Sequence, residues 1–155
     1  MAKALVDYLL ARGLTISCAE SCTGGQIAAA ITTVPGCSAV FPGGVCTYSE
    51  EMKIKMLGVS RETLDTYGVV STETALEMAR GIKHLTGSDI AVATTGIAGP
   101  GGGTTEQPVG TVCFAIVSDA GERAWCENFA AEVELTRAEI QKRAVRRLLD
   151  AVMEK

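Results

Sequence analysis

Ser21, Cys22 and Thr23 stand together in the run Ala19-Glu20-Ser21-Cys22-Thr23-Gly24-Gly25, where an apolar stretch ending at Cys18 breaks into small, polar and glycine residues. A strand feeding a helix through a tight turn accounts for that change. Such a turn exposes a hydroxyl and a thiol beside the unpaired N–H groups of a helix N-terminus, which suit an anion or an oxyanion. A second cluster, Gly96-Ile97-Ala98-Gly99-Pro100-Gly101-Gly102-Gly103-Thr104-Thr105, follows the apolar residues Ile90 to Ala93 and is too glycine-rich for helix or strand. Between the two lies Tyr48-Ser49-Glu50-Glu51-Met52-Lys53. Three separated segments in which small residues meet reactive ones fit one pocket assembled from several loops.

Elimination narrows the chemistry. The lone His84 falls in a helical stretch just before Gly87 and reads as a helix-end residue, which leaves a Ser-His-Asp triad without its base. A lysine remains as activator of a serine, and its ordinary pKa of about 10.4 would have to fall toward roughly 7 to 8 through burial or nearby positive charge. If Ser49 caps a helix, Lys53 sits one turn further on and close to Tyr48, while Lys55 points elsewhere. Spacing alone also fits Lys53 as a solvated helix residue. Cys22 is the rival nucleophile, since a helix N-terminus stabilises a thiolate, but it has no imidazole partner. Glu20 beside the lysine would raise its pKa and oppose its use as a base, so Glu20 is expected to bond backbone instead.

The elements that must position these residues follow from periodicity and punctuation. Lys3 to Arg12 is helical up to Gly13, and Leu14 to Cys18 is a short buried strand. Cys22 or Thr23 starts a helix that runs through Ile31 and stops at Pro35-Gly36. Ala39 to Tyr48 is extended, with Pro42-Gly43-Gly44 as a bulge or kink. Ser49 caps a short helix to Leu57, Ser60 opens another, and Ser71 a longer one to about Leu85. Ile90 to Thr95 is a buried strand, Thr111 to Ser118 and Glu122 to Ala130 form a hairpin, and Leu135 to Val152 is an amphipathic helix. This order predicts an α/β fold with three layers, α/β/α, around a mixed sheet, as a single domain over residues 1–155.

Composition excludes several classes. A net charge of −4 gives no electrostatic reason to expect nucleic acid or an anionic membrane as partner, and Lys142 to Arg147 reads as a solvated helix face. No segment approaches a membrane span, and the first residues lack a signal-peptide core, so a cytoplasmic location is expected. The six cysteines are scattered, without a C-x-x-C pair, and with one histidine they make no zinc set; most are expected to be small core residues in a reducing compartment. No metal or cofactor is expected. An apolar content of 47% makes a homo-oligomer the expected assembly.

The first glycine-rich turn, Tyr48-Ser49 with Lys53 and Leu57-Gly58-Val59, Thr95-Gly96-Ile97-Ala98-Gly99-Pro100-Gly101-Gly102, and Pro108-Val109-Gly110-Thr111-Val112 closely resemble, in order and spacing, the C-terminal domain of the competence/damage-inducible protein CinA. The resemblance spans nearly the whole chain. It implies a nicotinamide-nucleotide amidohydrolase that converts nicotinamide mononucleotide to nicotinate mononucleotide and ammonia, in a form without the family's larger pyrophosphatase domain. By the same resemblance Ser21 is the nucleophile, Lys53 its base and Tyr48 a supporting residue. The substrate would be held by Cys22, Thr23, Gly24, Gly25, Thr95, Gly96, Gly99, Gly101, Gly102, Gly103 and Thr105, the later glycines and threonines on its phosphate. Backbone N–H groups near Cys22 to Gly24 or in the Gly96 loop would take the oxyanion. Arg137 corresponds to the arginine of the family's Gly-Asp-Arg stretch; Leu135-Thr136 replaces Gly-Asp, and Gln141 stands where a second arginine is common. Two other readings use the same residues. A non-catalytic nucleotide-sensing module would bind and not turn over, and a redox-active protein would depend on Cys22.

Overall fold

Each face of the sheet is written in alternate residues of its strands. In the computed structural model, which describes residues 1–154, five strands form one mixed sheet in the order β2-β1-β3-β4-β5. These are β1 (Ile16–Glu20), β2 (Gly43–Cys46), β3 (Ile90–Gly96), β4 (Thr111–Ser118) and β5 (Gly121–Asn128). The first three run parallel, β4 pairs antiparallel with β3, and β5 pairs antiparallel with β4. Along β3 and β4, Ile90, Val92, Val112 and Phe114 enter one core, while Ala91, Ala93, Cys113 and Ala115 enter the other, as a period of two requires.

The helices divide between those cores. Leu5 and Leu9 of α1 (Ala2–Leu10), Ile27 and Ile31 of α2 (Gln26–Thr32), and Leu148 and Leu149 of α6 (Arg137–Met153) fill the first. The second takes Leu57 of α3 (Glu50–Leu57), Leu64 of α4 (Arg61–Tyr67), and Met78 and Ile82 of α5 (Thr72–Thr86). Small residues on that face of the sheet let α5 lie close, and Gly81 lets α3 end directly on it: a Cβ there would fall 2.0 Å from the Leu57 carbonyl oxygen. With both faces covered, all five residues of β1 are buried. The architecture is the expected three-layer α/β/α.

Three local expectations are corrected. Ala39 to Tyr48 is not extended throughout: Cys37–Ala39 is a 3-10 turn and only Gly43–Cys46 pairs as a strand. The helix after the first turn begins at Gln26 and not at Cys22 or Thr23, because Gly24 and Gly25 both take positive φ, +60° and +93°, and so prolong the turn. Most of the cysteines were expected as small core residues in a reducing compartment, but Cys113 and Cys126 face each other across β4 and β5 and form a disulfide. Hairpin register brings them together, and sequence spacing does not reveal it. Cys18 and Cys22 are buried free thiols. No helix among the described residues is long and apolar enough to cross a membrane.

Candidate functional site

Ser21 follows β1, Thr47 and Tyr48 follow β2, and Gly96 ends β3, so the three segments of interest leave the C-terminal ends of three adjacent parallel strands. The connection from β1 leads to α2 in one core and that from β2 to α3 in the other, so these two diverge to opposite faces of the sheet there, which opens a crevice in sheets of this kind. A cavity of about 850 Å³ lies at the other end of the sheet, against Tyr8, Leu14, Asp89 and Ile116. It gathers none of the candidate residues.

Lys53 is carried into the crevice by the cap of its helix. The Ser49 side chain accepts from the Met52 N–H, Glu50 and Glu51 occupy the favourable first turn, and Gly58 closes the helix. With the rotation so fixed, Lys53 points inward and is wholly buried, whereas Lys55 is exposed. Its Nζ lies 2.9 Å from Ser21 Oγ, 2.6 Å from the Thr47 carbonyl oxygen and 3.4 Å from that of Tyr48. Among the described residues no carboxylate is hydrogen-bonded to it. Burial pulls its pKa below the ordinary lysine range, against an upward push from Cys22, Cys46 and Glu50.

Glu20 does bond backbone. One of its oxygens accepts from the N–H groups of Gly25 and Ile27 at 3.1 and 3.0 Å and from Thr23 Oγ1 at 2.6 Å; the other accepts from the Ala28 N–H at 2.9 Å. The N-terminus of α2, expected as an anion site, is therefore already capped by this carboxylate. Thr23 Oγ1 is also within 2.8 Å of Thr94 Oγ1 and is buried, so that hydroxyl is occupied inside the turn. Burial pushes the Cys22 thiol up to about 12, the reverse of what a thiolate nucleophile needs. Ser21 is left as the hydroxyl in contact with the Lys53 amine.

Around this pair stand the remaining candidates. Tyr48 meets Lys53 through its carbonyl; its phenol oxygen accepts from Arg137 Nη2 at 2.8 Å. Arg137 Nη1 reaches the Gly99 carbonyl, also at 2.8 Å, tying the second glycine loop to Tyr48. Thr95 Oγ1 is buried and donates to the Val69 carbonyl, and Gly96 lies so close to β4 that a Cβ would fall 2.7 Å from the Thr111 carbonyl oxygen. Both shape the loop's exit from β3. Gly101, Gly102, Gly103 and Thr105 are exposed. His84 is an exposed residue in the last turn of α5. Among the described residues no group of three or more His, Cys, Asp or Glu could hold a metal ion.

Two participants escaped sequence reading. Thr47 supplies a carbonyl to Lys53, which its side-chain type could not reveal, and Gln141 donates to the Cys22 carbonyl at 2.8 Å.

Residues 1–155 match the family model described as the CinA C-terminal domain. The chain belongs to the CinA C-terminal domain family. A CinA-like protein of Chloroherpeton thalassium is 51% identical over 152 residues, covering 94% of this chain and 36% of that protein. A putative competence-damage inducible protein of Desulforudis audaxviator is 55% identical over 116 residues, 75% of this chain and 28% of that one. The chain thus spans about a third of the length of such curated CinA relatives. Among solved structures, competence/damage inducible protein CihA from Agrobacterium tumefaciens superposes with a TM-score of 0.93 at 42% identity, covering 98% of this chain and 91% of that one. A competence or damage-inducible protein from Enterobacter asburiae gives 0.91 at 32% identity, with 97% and 92% covered. The CinA fold therefore extends along essentially the whole chain.

Proposed function

We propose that this CinA-family chain is an amidohydrolase in which Ser21 is the nucleophile and Lys53 the general base, acting on the carboxamide of a nicotinamide nucleotide. The observation that carries the proposal is the buried Lys53 Nζ, 2.9 Å from Ser21 Oγ and without a carboxylate partner. A neutral amine has two N–H donors and one lone pair. The Thr47 and Tyr48 carbonyls accept the two donors, which turns the lone pair toward the Ser21 hydroxyl. Lys53 takes the Ser21 proton as Oγ attacks the carboxamide carbon, and the protonated lysine then delivers that proton to the departing nitrogen. Ammonia leaves and an acyl-enzyme on Ser21 remains. Water, deprotonated by Lys53 in turn, hydrolyses the ester to release the carboxylate product and free Ser21.

The choice of nicotinamide mononucleotide rests on the family resemblance; the acyl transfer rests on the dyad. A cytoplasmic setting and a homo-oligomeric assembly complete the proposal. The test is ammonia release from nicotinamide mononucleotide by wild type, Ser21→Ala and Lys53→Ala, with nicotinamide riboside as the unphosphorylated control. Turnover by wild type, with losses of several orders of magnitude in both variants, is expected. Binding of the nucleotide without ammonia release by wild type would overturn the amidase and leave a sensing module as the better account.

A further inference from the structure

The turn after Ser21 has an unusual division of its N–H groups. Ser21 donates to the Thr94 carbonyl, Gly24 to that of Ser21, and Gln26 to that of Thr23, while Gly25 is held by Glu20. The N–H groups of Cys22 and Thr23 donate to no backbone or side-chain acceptor among the described residues, although both residues are buried. Buried N–H groups without partners are rare, and each is costly to leave unmade. They directly follow the hydroxyl on which Lys53 acts.

The carbonyl of the same turn is held from outside. Gln141, on α6 and 119 positions away, donates Nε2 to the Cys22 carbonyl at 2.8 Å, and its own Oε1 accepts from Gln26 Nε2 at 2.9 Å. A backbone carbonyl can only accept, so Gln141 must present its NH₂ there and its oxygen to Gln26. The two amides thus form a directed chain ending on Cys22. In a planar trans peptide the Cys22 C=O and the Thr23 N–H point in opposite directions. Holding the carbonyl toward Gln141 fixes the Thr23 N–H away from it, and a hydrogen bond to the carbonyl also polarises the peptide and strengthens its N–H as a donor.

We propose that Gln141 is a positioning residue, which, through the Cys22 carbonyl, aims the Thr23 N–H together with that of Cys22 at the oxyanion formed when Ser21 attacks. The inference rests on the acyl-transfer reading given above. It places the oxyanion donors on the first turn and not in the Gly96 loop, and it gives α6 a second contact with the site, one helical turn beyond Arg137.

The test compares Gln141→Met, Gln141→Lys and Gln141→Glu by kcat and KM for ammonia release from nicotinamide mononucleotide, with thermal midpoints measured alongside. Gln141→Met removes the donor at similar volume and lowers kcat roughly 10- to 100-fold, with KM within about two-fold. Gln141→Lys restores a donor and recovers most of the rate; Gln141→Glu places an acceptor against the carbonyl and is slower than Gln141→Met. Affinity for a trifluoromethyl-ketone analogue of the nucleotide, which captures Ser21 as an oxyanion, falls in Gln141→Met in step with kcat, while affinity for the carboxylate product is unchanged. Equal rates in all four proteins, or a loss that Gln141→Lys does not recover, would overturn the proposal. Wild type and Ser21→Ala run in the same assay: an inactive wild type removes the amidase itself, whereas an active wild type with unaffected Gln141 variants removes only the role of Gln141.

Discussion

Glu20 and Ala28 are joined by a 2.9 Å hydrogen bond from the Ala28 N–H to a buried carboxylate oxygen, and this bond closes the turn that carries Ser21 onto the helix that follows it. The same carboxylate also holds Gly25, Ile27 and Thr23, so one side chain replaces both the cap that α2 lacks and the anion that its N-terminus would otherwise attract. Glu20→Gln puts an NH₂ where only acceptors are wanted. Facing donors left unpaired cost about 1–3 kcal/mol each, so a loss of roughly 3 kcal/mol in unfolding free energy is expected by urea denaturation. The rate falls with it, because Ser21 sits on the loosened turn. A Glu20→Gln protein as stable as wild type would show that the turn does not depend on this carboxylate.

Lys53 gives the sharpest dependence on pH. Its folded-state pKa is depressed by burial, so between that value and the ordinary lysine value the unfolded state binds the extra proton and stability rises with pH. Below the folded pKa both states are protonated and the destabilisation is present in full. Lys53→Met therefore stabilises the protein most on the acid side, and the gain shrinks as pH approaches the ordinary lysine value, while turnover is lost. In wild type, kcat rises with pH through the depressed pKa, since only the neutral amine can accept the Ser21 proton. Unfolding midpoints of both proteins across pH, with the wild-type pH–rate profile, check both signs; a stability difference independent of pH would place the titration of Lys53 in the ordinary range.

Arg137 and Tyr48 form one unit, because the guanidinium spans the phenol oxygen and the Gly99 carbonyl. Two donors are so used, and under the proposed function the remaining N–H groups of the fork would meet the substrate phosphate. Tyr48→Phe and Arg137→Ala should each raise KM for the nucleotide, and the double variant should be little worse than Arg137→Ala alone. A coupling of about 0.5–3 kcal/mol in kcat/KM is the expected range for residues in direct contact. Strict additivity would mean that the two act separately. The unphosphorylated riboside should respond less than the nucleotide to Arg137→Ala, as loss of a phosphate contact requires.

How much of this was legible in the sequence depended on range. Ser49, Gly58 and the apolar run of β3 are local signals, and from them the helix carrying Lys53 and the layered sheet follow, whereas the spacing also fitted Lys53 as a solvated residue and did not give its inward turn. The place of Ser21 beside Lys53 was reached by elimination and by family resemblance, since their meeting depends on β1 and β2 pairing in register, with Glu20 opposite Cys46. Glu20 was read as a backbone-bonding residue, but other contacts that use backbone atoms stayed hidden: the Thr47 carbonyl at Lys53 and the unpaired N–H groups after Ser21. The Cys113–Cys126 bond was hidden for a related reason, because cross-strand pairing is set by hairpin register and not by a spacing motif.

Thr47 offers a separation of stability from function. Its backbone carbonyl accepts from Lys53, yet its buried hydroxyl is without a partner among the described residues. A buried hydroxyl left unsatisfied destabilises by about 1–3 kcal/mol, so the isosteric Thr47→Val, which removes the hydroxyl and keeps the carbonyl, should leave stability unchanged or raise it. Lys53 keeps its acceptor in that variant. If the carbonyl is the only part of Thr47 that the reaction uses, ammonia release continues within about two-fold of wild type, since the geometry around Ser21 is untouched. A fall in kcat that Thr47→Ser restores, accompanied by a rise in the melting midpoint of Thr47→Val, would instead assign the hydroxyl to the reaction, because a group kept at a cost in stability and needed for turnover is serving the site.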